Sequence, residues 1–196
     1  MDETKSDLSF ERELPPNSFA DFVGQERIKQ RLQLAVESAM RSGQPLGHVL
    51  LVGPPDYGKA SLAKIIHKTI GAKASIVSGM TSGGSLNDFA GILTNLEERD
   101  VLFIEESHKL DRDVAEFLSQ PMKDFKISIM IDRGINARAV HLNLPQFTLI
   151  GTAVSTQHMP AAFLSGFQIV EKMDGYSRGE LAAGGSGAGG QNASKD

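Results

Sequence analysis

The sequence contains no cysteine. Disulfide bonds, thiolate metal sites and cysteine nucleophiles are therefore excluded, and residence in the cytoplasm is compatible with this composition. The sequence also lacks any apolar run close to the ~18–20 residues that span a bilayer, so we expect no transmembrane helix and no membrane partner. The charged N-terminal stretch has no apolar core of the kind found in secretory signals. We therefore expect a cytoplasmic protein.

A strong positive charge is missing as well, because the formal net charge is −4 over 196 residues. The chain has no basic stripe and no alternation of aromatic and basic residues, so we expect no direct grip on DNA. Its 40% hydrophobic and 22% charged residues are ordinary for a soluble globular protein. That composition excludes wholesale disorder and fibrous folds, and the length allows one domain with a small appendage.

The distribution of residue types divides the chain into three zones. Residues 1–13 are polar and charged, and we expect them to form a flexible N-terminal segment. Residues 14–176 carry most of the apolar residues and form the predicted domain. Residues 177–196 are rich in glycine and cannot bury enough surface to fold, so we expect a disordered tail.

Within the predicted domain, helical and strand spacings of apolar residues alternate. Helical spacing predicts helices near 25–41, 62–70, 86–96 and 114–122, the second of them ended by Gly71. Short apolar runs predict buried strands at 48–52, 74–78, 101–104 and 147–150, the last of which we take as the final strand. Residues 127–144 read as a β-hairpin around a turn at 132–134. The order predicts an α/β fold, a three-layer sandwich of a parallel sheet with helices on both faces plus a β-hairpin insertion.

The clearest local motif spans residues 53–61, between a predicted strand and a predicted helix, and it matches a phosphate-binding P-loop. In such loops backbone N–H groups and the helix N-terminus hold phosphates, and the lysine reaches the terminal ones. The candidate nucleotide-binding residues are Gly53, Pro54, Pro55, Gly58, Lys59 and Ser61. Taken alone, an ordinary strand–turn–helix connection explains the segment equally well.

The loop departs from the P-loop pattern at two places. Ala60 follows the lysine, where a Ser or Thr hydroxyl normally binds magnesium. Ser61 comes one residue later and so points about 100° away on a helix, which makes it a weak substitute ligand. Asp56 brings a carboxylate toward the expected phosphates and lacks the conformational freedom of glycine.

A second motif follows the predicted strand at 101–104, where two carboxylates stand in sequence as in a Walker B segment. There the first acid helps to hold magnesium and the second polarises the attacking water. Glu106 is the candidate for water polarisation, and Glu105 stands where aspartate is usual. The longer glutamate side chain disturbs octahedral magnesium geometry, so Ser61 and Glu105 would form a weak magnesium site. A buried strand that ends in two solvated acids is the simpler alternative.

Together the motifs resemble the RuvB family, the AAA+ motors of bacterial Holliday junction branch migration. The similar segments occur in the family's order, over about residues 14–176, at 22–27, 53–61, 78–79, 102–108, 122–125, 136–138, 144–151 and 167–170. The resemblance implies a P-loop AAA+ fold and a role in DNA recombination and repair. It also implies that the helical lid and winged-helix DNA-binding domains of the family are absent.

The resemblance further implies a set of ligands and partners. Lys123, Asp124, Phe125 and Tyr176 match segments at the family's nucleotide site, so the cofactor would be ATP or ADP with Mg²⁺, bound more weakly than usual. The hairpin would dock on a RuvA-like protein through Ile129, Ile131 and Ile135, and RuvB-type ring subunits would be further partners.

Departures from the family concentrate at catalytic positions. Gly166 stands where the family has an arginine finger, a residue that contributes ~10³–10⁵ in rate in related phosphoryl transfer. Residues 152–154 have lost at least one hydroxyl of the sensor region. We therefore expect a nucleotide-binding protein that is impaired or inactive in ATP hydrolysis. The alternatives are a working branch-migration ATPase, a non-enzymatic RuvA-binding modulator and a non-functional truncated paralogue.

Overall fold

The computed structural model describes residues 16–79, 85–131 and 138–173. The expected flexible segments at 1–13 and 177–196, together with Ile135 and Tyr176, lie outside the described residues. The helices are α1 (Glu26–Ser42), α2 (Lys59–Ile70), α3 (Leu86–Thr94), α4 (Arg112–Asp124) and α5 (Ala161–Leu164). The strands are β1 (Val49–Val52), β2 (Ala74–Ser78), β3 (Val101–Glu105), β4 (Lys126–Ile131), β5 (Arg138–Asn143), β6 (Thr148–Ala153) and β7 (Ile169–Lys172).

Five strands form one parallel sheet in the order β2-β3-β6-β1-β7. Alternate residues of each central strand face opposite sides, as the pleat requires. Leu50 and Val52 join one apolar core with α3, α4 and α5, whereas Val49 and Leu51 join a second core with α1 and α2. The predicted α/β sandwich with helices on both faces is confirmed. Within the described ranges, no helix is long and apolar enough to cross a membrane.

The predicted helices and strands are found close to their expected positions. The helix predicted at 62–70 is α2, and Gly71 ends it with a φ of 73°, a left-handed conformation that glycine adopts without strain. The prediction that 147–150 holds the final strand was wrong, because β7 follows and pairs with β1 in parallel. This strand has only four residues with two charges among them, so it shows no apolar run.

The predicted hairpin is a separate two-stranded antiparallel sheet made by β4 and β5. Its base is fixed to the body of the protein, since Ile127 is buried and the N–H of Leu144 donates to the carbonyl of Phe125 at 2.7 Å. Ile129 and Ile131 lie in β4, and their expected role as exposed docking residues stays a prediction.

His48 joins three elements at the amino-terminal edge of the sheet. Its Nδ1 accepts a hydrogen bond from the N–H of Leu149 at 2.8 Å, and its Nε2 donates to the carbonyl of Met122 at 2.9 Å. Burial lowers the pKa of His48 to about 4, partly opposed by the bond to Met122. The neutral imidazole therefore connects the start of β1 with β6 and with the end of α4.

Candidate functional site

The loop between β1 and α2 has the backbone shape of a phosphate cradle. Gly58 precedes the helix with a φ of 78°, and Asp56 adopts a φ of 63°, so a non-glycine residue occupies the left-handed region. Aspartate tolerates this conformation better than most residues. A Cβ on Gly53 would lie 2.9 Å from the carbonyl oxygen of Met173, so that position requires glycine. The N–H of Gly53 also donates to the carbonyl of Ala153 at 3.0 Å, which fixes the loop to β6.

Lys59 is folded back on the loop that precedes it. Its Nζ donates to the carbonyl of Gly53 at 2.7 Å and also to the carbonyl of Pro54. Partial burial lowers the pKa of Lys59, while the nearby carboxylates of Asp56 and Glu106 oppose that shift. The ammonium therefore lies at the mouth of the cradle. A phosphate that binds it would have to compete with these two carbonyls.

Glu105 ends β3, and the segment that follows it is held in place by the neighbouring strand β6. The N–H of Glu106, a residue with a φ of 53°, donates to the Thr152 hydroxyl oxygen at 3.0 Å. The hydroxyl of the buried Ser107 donates to the carbonyl of Thr152 at 3.0 Å. The carboxylate of Glu106 pairs with the ammonium of Lys109 at 2.8 Å. Sequence motifs pointed to the acids but gave no signal for this use of Thr152 and Ser107.

Loop, acids and sensor region meet in a cleft of about 470 Å³ at the carboxyl-terminal edge of the sheet. The cleft is lined by Pro55, Asp56, Gly58, Lys59, Ala60, Ser61, Glu105, Glu106, His108, Thr152, Ala153 and Val154. Burial is the largest effect on His108 and lowers its pKa, so this imidazole is neutral at pH 7. Its Nδ1 accepts a 3.4 Å hydrogen bond from the N–H of Val154.

Three of the expected nucleotide contacts are not brought to this cleft. Helices that connect parallel strands run back antiparallel to them, so the end of α4 reaches the amino-terminal edge of the sheet. Lys123 and Asp124 are exposed there. Phe125 packs instead on the rings of His48 and Phe147, with ring centroids 6.1 and 5.7 Å away. Lys123, Asp124 and Phe125 therefore do not line the phosphate cleft, and their expected contact with a nucleotide stays a prediction.

Gly166 lies near the same amino-terminal edge, against the side chain of Met122. A Cβ added at Gly166 would lie 2.9 Å from Cε and 3.2 Å from Cβ of Met122. The N–H of Gly166 donates to the carbonyl of Phe163 at 3.0 Å, at the end of α5. The packing of α4 on α5 therefore leaves little room for a side chain at this position.

The donor set of the cleft does not fit a resident magnesium ion of the P-loop kind. Ala60 offers no oxygen at the position that follows the lysine. Ser61 and Glu105 both line the cleft, so a weak site on this pair stays a prediction. Within the described part of the chain, no three His, Asp or Glu side chains are grouped so as to hold a metal ion.

A parallel sheet in this strand order, with a phosphate loop after β1 and two acids at the end of β3, defines a P-loop nucleotide-binding domain of the AAA+ type. Residues 14–173 match the model of the Holliday junction DNA helicase RuvB P-loop domain. The chain belongs to the RuvB family.

Individual relatives agree with this assignment. The chain is 43% identical over 171 residues to a Holliday junction branch migration complex subunit RuvB of Flavobacterium psychrophilum, and 43% identical over 173 residues to that of Salinibacter ruber. These matches cover 87% and 88% of the chain but 50% of each relative. Among solved structures, the Thermotoga maritima RuvB Holliday junction branch migration motor is similar with a TM-score of 0.73 and 36% identity, over 86% of this chain and 51% of that one. The chain thus spans about half the length of the relatives that it matches.

Proposed function

We propose that this chain binds adenine nucleotides as a RuvB-like AAA+ domain related to Holliday junction branch migration in recombination and repair, and that its ATP hydrolysis is impaired or absent. The observation that carries the proposal is the lining of the cleft, which keeps a phosphate cradle while changing the groups that act on the terminal phosphate. ATP or ADP is the expected cofactor.

Binding is supported by the parts of the cradle that remain intact. Gly53 and Gly58 keep the backbone shape, α2 points its N-terminus into the cleft, and Lys59 keeps a cation at its mouth. Helix N-termini and backbone N–H groups favour phosphate without any help from a metal. The same residues therefore support retention of a nucleotide where catalysis has been lost.

Impaired hydrolysis is supported by three further observations. Ala60 and the apolar pair Ala153 and Val154 supply no side-chain oxygen for a metal or a water molecule. Glu106, the candidate base, has its carboxylate in an ion pair with Lys109, a contact that it would have to give up to orient a water molecule. Gly166 cannot supply a guanidinium to a neighbouring subunit. Each change affects a group that would act on the terminal phosphate in the transition state.

A turnover assay tests the impairment. The full chain and a Lys59→Ala control are compared for phosphate release from ATP with magnesium, with and without a RuvA protein and junction DNA. We expect the two chains to release phosphate at the same background rate. Magnesium-dependent release well above that control, stimulated by RuvA or DNA, would instead identify a working ATPase.

The hairpin supports a second role, as a non-enzymatic modulator that binds a RuvA-like protein. Strands β4 and β5 form a sheet of their own outside the main sheet, which suits them to an external contact. We propose RuvA-type and RuvB-type subunits as partners, with no direct grip on DNA.

A pull-down on immobilised RuvA tests that contact. The double variant Ile129→Asp, Ile131→Asp should lose binding. Leu34→Asp is the matched control, because Leu34 is 63% exposed on α1, far from the hairpin in sequence. Equal retention of both variants would count against the hairpin as the docking element. A folded chain that binds neither nucleotide nor RuvA would leave the truncated non-functional paralogue as the remaining alternative.

A further inference from the structure

The balance of charge in the phosphate cleft is negative. Three carboxylates line it, those of Asp56, Glu105 and Glu106, against the ammonium of Lys59 and that of Lys109, which pairs with Glu106. The imidazole of His108 adds no positive charge at pH 7. Each further negative charge that a ligand brings into this cleft is therefore opposed by the carboxylates.

Asp56 differs from the other two acids because it belongs to the loop that would hold the phosphates. Its left-handed backbone, with a φ of 63°, holds it between Pro55 and Tyr57 at the wall of the cleft. Its carboxylate is close enough to Lys59 to be the largest of the charges that raise the pKa of that ammonium. A phosphate in the cradle must therefore share Lys59 with a carboxylate that is already present.

The ammonium of Lys59 is also committed elsewhere. It donates to the carbonyls of Gly53 and Pro54, so reaching a terminal phosphate means giving up two hydrogen bonds. A phosphate bound within the loop accepts hydrogen bonds from backbone N–H groups and lies at the N-terminus of α2. Its binding therefore depends less on the lysine. Glu105 and Glu106 line the same cleft and oppose the charge of any further phosphate.

A metal ion normally offsets the charge of the outer phosphate in P-loop sites. Here the cleft offers that compensation poorly, since Ala60 replaces the hydroxyl ligand and leaves Ser61, one residue later, with Glu105. The cleft is itself negative, so it does not offset the charge of a triphosphate.

We propose that this cleft binds adenine nucleotides without a metal ion and selects the diphosphate over the triphosphate, with Asp56 as the residue that sets the preference. This inference rests on the proposed nucleotide binding and adds the class of nucleotide that is held. It concerns binding alone and requires no catalytic step.

Calorimetric titration of the full chain with ADP and with ATP tests the preference, each in EDTA and in magnesium. We expect ADP to bind roughly tenfold more tightly than ATP in EDTA, because one extra phosphate charge faces carboxylates a few ångströms away in a site open to water. In magnesium the preference for ADP should narrow, because a metal ion bound to the nucleotide in solution cancels part of the extra charge that the carboxylates oppose.

The variant Asp56→Asn removes the charge and keeps the shape of the side chain. It should bind ATP roughly five- to tenfold more tightly and narrow the ratio between the two nucleotides. Asp113→Asn is the matched control, because Asp113 is an exposed acid on α4 that does not line the cleft. It should leave both affinities unchanged. Circular dichroism checks that each variant is folded.

The outcomes separate this inference from the function on which it rests. Equal affinity for ADP and ATP in EDTA would overturn the selectivity and leave nucleotide binding intact, and binding of ADP only in magnesium would overturn the metal-free binding. An unchanged ratio in Asp56→Asn would remove Asp56 as its cause. Failure of the folded chain and of Asp56→Asn to bind either nucleotide at millimolar concentration would overturn both.

Discussion

At the scale of single residues, His48 shows how burial turns an ordinary side chain into a structural linker. Its ring is 2% exposed and uses both nitrogens for hydrogen bonds, one to β6 and one to α4. Such a ring must stay neutral, because a proton on Nδ1 would break the bond from the N–H of Leu149. The fold therefore depends on pH through this one group.

The sign of that dependence follows from the pKa of His48, which is about 4 in the fold against 6.5 in the unfolded chain. Between these values the unfolded state binds more protons, so the free energy of unfolding rises with pH. The contribution of His48 to the free energy of unfolding is fully present above pH 6.5 and is lost as the pH falls to 4. The total loss is about 3 kcal/mol. Urea unfolding between pH 7.5 and 4.5 measures it, and His48→Gln should give a shallower slope. An NMR titration that places the pKa of His48 near 6.5 would contradict this account.

Gly166 gives a second prediction at the residue scale. A methyl group at this position meets Met122 at 2.9 to 3.2 Å, inside ordinary contact distance. We expect Gly166→Ala to lower the free energy of unfolding by about 1–3 kcal/mol, the usual range for overpacking a core. The companion change Met122→Leu shortens the facing side chain and should recover part of the loss. Urea unfolding of both single variants and the double variant measures the coupling, and strictly additive losses would show that the two positions do not interact.

At the scale of secondary-structure elements, sequence periodicity predicted well wherever a strand or helix carried its own apolar pattern. The run at 101–104 and the stripe from Leu62 to Ile70 are examples, and both elements lie where they were expected. Strand β7 was missed because its burial comes from pairing with β1 and from α1 rather than from its own composition.

The candidate site also contains parts that the sequence predicts and parts that it does not. The loop at 53–61 and the two acids at the end of β3 are local motifs, so the sequence placed them correctly at one cleft. The hydrogen bonds of Thr152 and the folding back of Lys59 onto Gly53 depend on tertiary geometry and leave no local signal. The position of Lys123 at the opposite edge depends on the direction in which α4 runs, which similarity of short segments does not convey.

The junction of β7 with α1 supports a prediction at the element scale. Glu171 is 2% exposed on β7, and its Oε1 lies 3.1 Å from Nε of Arg31 on α1. The angle at this contact is poor, so Oε1 has no hydrogen-bond partner within the described part of the chain, and the attraction is one of charge.

Arg31 is largely exposed, so breaking its pair with Glu171 should cost less than breaking a fully buried ion pair. We therefore expect Arg31→Ala to lower the free energy of unfolding by about 2 kcal/mol. Glu171→Gln removes the buried charge, so the double variant should be more stable than Arg31→Ala alone. Thermal and urea unfolding compare the three variants. A loss from Arg31→Ala that Glu171→Gln fails to relieve would show that the arginine acts through its apolar stem instead.

At the scale of the whole molecule, the two edges of the sheet carry different parts of the predicted site. The phosphate loop, the acids and the sensor residues share the carboxyl-terminal edge, while Lys123, Asp124 and Gly166 lie near the amino-terminal edge. In a ring of subunits, one edge of each chain can face the other edge of its neighbour. We therefore expect any assembly of this chain with intact RuvB subunits to be asymmetric, since it can receive an arginine but not supply one.

The overall charge gives a prediction at the same scale. With a formal net charge of −4 and no basic stripe in its sequence, the chain should show no retention of junction DNA on filters at moderate salt. Retention measured over a salt series, with and without a RuvA protein, tests this. Binding by the chain alone that persists at high salt would reveal a specific DNA surface.

The hydrogen bonds from Lys59 to the carbonyls of Gly53 and Pro54 have a consequence for the design of experiments. In this protein the lysine also acts as an internal brace that ties the start of α2 to the loop before it. Lys59→Ala, the natural inactive control, removes that brace and should lower the melting temperature of the ligand-free protein. A control that keeps the brace is one that alters an acid instead, such as Glu106→Gln, so the two variants together separate a loss of chemistry from a loosening of the scaffold.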